Sequence, residues 1–209
     1  MTDATEALRR FRASMVLDFD AWKDGTPYDL AALDAMAATD RQQIAGEIIA
    51  KGQLDWRDVD ALRRIGTPEA LARIGAAAQA QSDHGGAAAL RAVADAGWSA
   101  ALETRFLETL DAARLMETSM DRLFAVAQAH PTPRVREKLL QLATEGASGV
   151  RYAFGAFLLY LHGHADEWYG LSGDVRPHLL ALSSSGDERA AAQAWLRTKI
   201  AAPVRGGAP

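Results

Sequence analysis

Cysteine is absent from the 209 residues of the chain, which excludes a disulfide framework and thiolate catalysis. A long apolar run is also missing. The most apolar stretch, Gly149 to Leu161, is shorter than the about 20 residues that a membrane-spanning helix needs. The first residues lack the apolar segment of a signal peptide. We therefore expect a cytoplasmic protein with no membrane partner.

The sequence has no excess of basic residues. Lys and Arg number 23 against 27 Asp and Glu, which gives a net charge of −4. Residues 1–50 hold five basic and nine acidic residues, so this first quarter carries the whole excess. A nucleic-acid-binding protein is expected to carry a basic patch or stripe. The composition thus argues against a nucleic-acid partner and favours a protein partner. The negative net charge suggests that this partner is basic.

Motifs of the common catalytic and cofactor sites are missing as well. No Ser-x-x-Lys, Gly-x-Ser-x-Gly, P-loop or Gly-x-Gly-x-x-Gly pattern occurs. Counted from Asp20, the twelfth position of a calcium loop would be Ala31 rather than Glu. Four residues of types that bind metal ions lie close together in the sequence: His162, His164, Asp166 and Glu167. No further ligand follows at the spacing that is usual for a metal site. We expect no metal, no cofactor and no catalytic residues, and we favour a protein that is not an enzyme.

Helix signals run along the whole chain. Apolar residues recur at spacings of three and four, and cap residues such as Asp55 and Ser99 precede these segments. No window shows the alternation of a half-buried strand. The sequence therefore predicts an all-α protein of about ten helices with no sheet.

The stretch from Gly149 to Leu161 is predicted to be the central helix. It is apolar nearly all round, which is typical of a helix buried on more than one side. Phe157 and Leu158 are expected to be buried on different sides. Arg151 is its only charged residue, so we expect a structural role, with a carboxylate or helix-end carbonyls as its partner.

A Val-Arg pair recurs at Val135-Arg136, Val150-Arg151 and Val175-Arg176. The first two pairs follow the turns 131–133 and 146–148, and residues 66–71 form a similar turn before an apolar segment. These features resemble HEAT-type helical repeats over roughly residues 40–165. The resemblance implies stacked antiparallel helix pairs in a short right-handed α-solenoid of HEAT/armadillo type, with Arg136 and Arg151 as structural residues.

This resemblance also suggests a single domain over residues 1–209. Residues 1–38 would form an N-terminal cap with an aromatic and acidic loop, and residues 39–165 the helical repeats. Residues 166–200 would form capping helices, and residues 201–209 a disordered tail. Each part outside the repeats would cover one end of the stack.

Two loops contain candidate partner-binding residues, in which rings would supply buried area and carboxylates would steer a basic partner. The candidates are Asp18, Asp20, Trp22, Asp24 and Tyr28 in the first loop, and Trp168 and Tyr169 in the second. The alternative is that both loops only seal the ends of the core. In that case Trp22 would belong to the interior.

The favoured function is a non-enzymatic protein–protein interaction module on a helical-repeat scaffold. A bacterial immunity, antitoxin or scaffold protein fits this description, and 19 Arg against 4 Lys suggests a GC-rich bacterial genome. The alternative is a helical-repeat enzyme, such as a DNA-base glycosylase or a lyase. Such an enzyme would need a concave groove lined with Arg and aromatic residues and carrying one carboxylate.

Overall fold

Twelve α-helices make up the regular structure of the part of the chain that is described. In this computed structural model that part comprises residues 2–16, 25–115, 117–169 and 173–201. No strand occurs in these ranges, which confirms the all-α prediction. None of the helices in them is both long enough and apolar enough to cross a membrane.

The chain divides into two compact units, residues 1–97 and 98–209. The first unit contains six helices: α1 Thr2–Met15, α2 Leu30–Ala35, α3 Ala38–Ile49, α4 Trp56–Ile65, α5 Pro68–Ala80 and α6 His84–Ala96. Helix α4 contacts α2, α3, α5 and α6. It therefore lies at the centre of this unit.

Local capping sets the bounds of α4 and α5. Asp55 accepts hydrogen bonds from the backbone of residues 57 and 58, and Gly66 ends α4 at a φ of 70°. Thr67 caps α5 ahead of Pro68. Residues 39–42 have the spacing of a capping box, which predicts that a helix starts there, but α3 begins at Ala38 and its N-cap makes no side-chain hydrogen bond.

A Gly-Gly pair is a turn signal and predicts a tight corner at Gly85-Gly86, but both glycines lie in the first turn of α6. The amide of Gln81 donates to the Leu54 carbonyl and accepts from the Leu54 N–H. A Cβ on Gly85 would lie 1.8 Å from the Leu54 oxygen, and one on Gly86 would lie 2.3 Å from the Gln81 oxygen. Close backbone packing, rather than turn geometry, requires both glycines.

The second unit contains α7 Ala100–Ala112, α8 Met120–Ala129, α9 Pro133–Glu145, α10 Ser148–Leu161, α11 Arg176–Ala181 and α12 Gly186–Ala201. Helix α10 contacts α9, α11 and α12, and six successive residues of it, 154–159, are buried. Phe157 and Leu158 are both in the core, as the sequence predicts.

The residue spacing in the last helix predicts that Ala191, Ala194 and Trp195 face inward. In the structure Ala192 and Leu196 are buried instead, and Ala191 and Ala194 are exposed. Trp195 is half-buried and stacks on His178 of α11 with ring centroids 4.3 Å apart. The Trp195 ring lies at the edge of the α11–α12 contact. The buried residues of α12 are therefore offset by one position from the predicted ones.

The two glycines of α6 provide a test of the first unit. We expect Gly85→Ala to lower the free energy of unfolding by about 1–3 kcal/mol, because overpacking against backbone cannot be relieved by a rotamer change. Gly75→Ala in α5 is the matched control, since a Cβ there meets nothing within 4 Å. It should stabilise by about 0.5–1 kcal/mol. Equal effects in urea denaturation would contradict this packing.

A second test concerns the core around α10. Phe157 is 1% exposed, so Phe157→Ala should cost about 3–5 kcal/mol in urea denaturation. Tyr169→Ala is the control, because that side chain is 70% exposed and its loss should stay within about 0.5 kcal/mol. A cost below about 1 kcal/mol for Phe157→Ala would show that α10 is not central.

Candidate functional site

Five aromatic side chains of the second unit line one cavity of about 220 Å³. We call this cavity the aromatic pocket, and its rings belong to Phe124 of α8, Phe157 and Tyr160 of α10, and Trp168 and Tyr169 of the following loop. The helical spacing of three places Phe157 and Tyr160 on the same side of α10. Three separate segments of the chain thus contribute to one site.

Ring contacts fix the geometry of the pocket. Phe124 and Phe157 are stacked, with centroids 4.1 Å apart and planes 5° from parallel. Trp168 meets Phe124 edge to face at 4.9 Å and 83°, and Tyr169 meets Trp168 at 5.4 Å and 85°. The Gln128 amide donates a 2.8 Å hydrogen bond to the Tyr160 hydroxyl oxygen. Phe124 and Phe157 form the floor of the pocket and are buried. Trp168 and Tyr169 form its walls, and their ring planes are nearly perpendicular.

Acidic side chains form the rim of the aromatic pocket. Asp121 of α8 and Asp166 and Glu167 of the loop are exposed and line the cavity, and its lining contains no Lys, Arg or His. In the described part of the chain none of the three carboxylates takes part in an ion pair. The negative charge of this rim is thus available to a cation from outside.

Two of the predicted partner-binding residues, Trp168 and Tyr169, belong to this site. Four others, Asp18, Asp20, Trp22 and Asp24, lie outside the described residues. The pocket also contains Phe124, Tyr160 and Asp121, which are not among the predicted site residues. A signal was nevertheless present, because residues 121, 124, 125 and 128 follow the three- and four-residue spacing of one helix face.

Tyr28 does not present its ring to a partner, because it is 3% exposed and packs edge to face on Phe11 at 5.5 Å. Its hydroxyl donates to Asp58 at 2.9 Å, and the Arg57 guanidinium lies 4.7 Å from its ring centroid. Lys51 Nζ donates to the same Asp58 oxygen at 2.6 Å. Tyr28 is therefore a core residue of the first unit, which corrects its prediction as a binding anchor.

The surroundings of Tyr28 also hold its hydroxyl protonated. Burial raises the pKa of Tyr28, and the negative charges of Asp58 and Asp55 raise it further. Asp58 is 1% exposed and accepts a third hydrogen bond from the Asp55 N–H at 3.0 Å. A buried carboxylate with three donors is a satisfied structural group.

Arg136 and Arg151 make the same hydrogen bond at the starts of two consecutive helices. Each Nε donates to the carbonyl five residues earlier, Arg136 to Pro131 at 3.1 Å and Arg151 to Gly146 at 2.6 Å. Arg151 also donates from Nη1 to the Leu182 carbonyl at 3.1 Å. Gly146 and Leu182 follow the last residues of α9 and α11, so these are helix-end carbonyls, the kind of partner expected from the sequence.

His162 and His164 lie just after α10 and do not form a metal site. No three His, Asp or Glu side chains within the described ranges are placed to hold a metal ion. The pKa of His162 is lowered, chiefly by burial and then by the charges of Arg136 and His164. His164 Nε2 is buried and has no hydrogen-bond partner among the described residues.

The Arg151 contacts provide a stability test. Arg151→Met should lower the free energy of unfolding by about 1–3 kcal/mol, because two part-buried carbonyls lose their donor. Arg136→Met is the matched control, since Arg136 is exposed and donates to one carbonyl only. Its effect should stay near 0.5 kcal/mol. Equal losses for the two variants in urea denaturation would contradict a special role for Arg151.

Comparison with known proteins adds no family to this description. The chain matches no protein-family model, no curated protein and no solved structure. The aromatic pocket, with its shape, its ring geometry and the carboxylates of its rim, is therefore the feature of the structure that indicates a function.

Proposed function

We propose that this protein is a non-enzymatic protein-interaction module that binds a basic partner. The observation that carries the proposal is the aromatic pocket, in which five rings meet three carboxylates that have no ion-pair partner among the described residues. Trp and Tyr, both present in the pocket, are together with Arg the residues enriched at the energetic centres of protein interfaces. Carboxylates at the rim would accelerate the encounter with a positively charged surface and orient it.

The charge of the whole chain supports the same partner. The formal net charge is −4, and the first 50 residues carry that excess. The predicted loop with Asp18, Asp20, Trp22 and Asp24 is a separate candidate surface of the same acidic and aromatic composition. Trp22→Ala is the test of that loop: a large fall in melting temperature would make it a cap rather than an interface.

We further propose that the scaffold is a HEAT-type α-solenoid. Within each unit, helices two apart in the sequence are in contact: α3 with α5 and α4 with α6, and α7 with α9 and α10 with α12. Such contacts are typical of stacked helix pairs. The shared hydrogen bond of Arg136 and Arg151 supports a common repeat origin for α9 and α10.

The glycosylase or lyase alternative requires cationic and aromatic groups in one groove. A second cavity, of about 490 Å³, is lined by Arg134, Lys138 and Arg197 but by no aromatic side chain. The aromatic pocket has rings and carboxylates but no cation. The interaction module accounts for the aromatic pocket directly.

The excess of Arg over Lys favours a bacterial source, and we propose the cytoplasm as the location of the protein.

Partner capture from the source cells, followed by mass spectrometry, tests the proposed function. We expect the wild-type chain to retain a protein with a basic surface and Tyr169→Ala to lose it, because the exposed ring would supply contact area. Leu71→Ala on α5 is the control, since Leu71 is another exposed apolar side chain. Retention of the same proteins by Tyr169→Ala and wild type would exclude the aromatic pocket as the interface.

A further inference from the structure

The size of the aromatic pocket restricts what it can hold. Its volume of about 220 Å³ lies below the range of about 300–1,000 Å³ that is usual for small-molecule sites. Its floor, Phe124 and Phe157, is fully buried, and its outer wall, Tyr169, is 70% exposed. These dimensions suit the end of one side chain entering from solvent rather than a whole cofactor.

The ring geometry favours a rounded cation. The faces of aromatic rings carry negative charge and attract cations, which are also drawn to the carboxylates of the rim. Phe124, Trp168 and Tyr169 meet successively at 83° and 85°, so they enclose a corner rather than a parallel slot. A planar guanidinium is suited to stacking on flat faces, whereas an ammonium is compact.

We propose that the aromatic pocket binds the ammonium head of a lysine side chain on the partner protein, and binds it more tightly when the nitrogen is methylated. Methylation replaces N–H donors by methyl groups that need no hydrogen bonds and that contact the rings directly. Asp121, Asp166 and Glu167 would supply the countercharge from the rim. This inference rests on the proposed function, because it names the group of the partner that enters the site.

The experiment uses the full chain labelled with 5-fluorotryptophan. The chain contains five Trp, and the ¹⁹F resonance of Trp168 is assigned as the one that Trp168→Phe removes. The probe is N-acetyl-trimethyllysine amide, and its control is the isostere with a neutral quaternary carbon in place of the nitrogen. We expect a saturable shift of the Trp168 resonance with the cation. The isostere should bind about 2- to 30-fold more weakly, which corresponds to about 0.5–2 kcal/mol for a cation–π contact.

Variants of the rim test the role of its charge. The double variant Asp121→Asn, Glu167→Gln should weaken binding of the cationic probe and reduce its dependence on salt, while leaving the isostere unaffected. Both side chains are exposed, so the fold should tolerate the change. Asp187→Asn in the first turn of α12 is the matched control, because it removes an exposed charge that does not line the pocket.

The possible results separate this inference from the proposed function. Equal affinity for the cation and the isostere, or no saturable shift of Trp168, would overturn the ammonium site. If a basic partner were nevertheless captured through Tyr169, the proposed function would stand without it. If the cation bound as expected and capture of a basic partner failed, the ammonium site would stand and the proposed function would fall.

Discussion

The parallel stack of Phe124 on Phe157 is the contact on which the second unit's candidate site depends. It joins α8 to α10 at a centroid distance of 4.1 Å, and Phe154 packs on the same Phe124 ring edge to face. Trp168 then packs on Phe124, so the loop after α10 takes its position from a ring that is already fixed in the core. A pocket with such a floor is formed before a ligand arrives. Binding there would cost little ordering entropy.

Charge is distributed differently in the first unit and around the aromatic pocket. In the first unit Arg64 makes two hydrogen bonds to Asp34, and Arg10 pairs with Asp29. Exposed pairs of this kind contribute little stability, but they cancel charge locally. The carboxylates at the rim of the aromatic pocket have no such partner within the described ranges, so their field would extend into solvent over about one Debye length.

Local sequence signals were sufficient to predict much of the helical structure but little of the candidate site. Asp55, Gly66 and Thr67 act within their own turns, so local sequence is enough to set the ends of the helices that they delimit. Tyr28 could not be placed in this way, because its hydroxyl meets a carboxylate 30 residues away. The aromatic pocket could not be predicted from local sequence either, because its rings come from α8, α10 and a loop. Trp168 and Tyr169 were recognisable only as two loop aromatics.

The paired glycines of α6 have a consequence for how related sequences would be interpreted. At both positions a side chain would collide with a backbone carbonyl oxygen, that of Leu54 at Gly85 and that of Gln81 at Gly86. Selection would therefore keep Gly85-Gly86 constant in any descendant that retains this packing. Glycine-rich sequences at a helix start also occur in phosphate-binding loops. In this protein the same signature would record contact between two backbones, and an assignment of nucleotide binding from it would be mistaken.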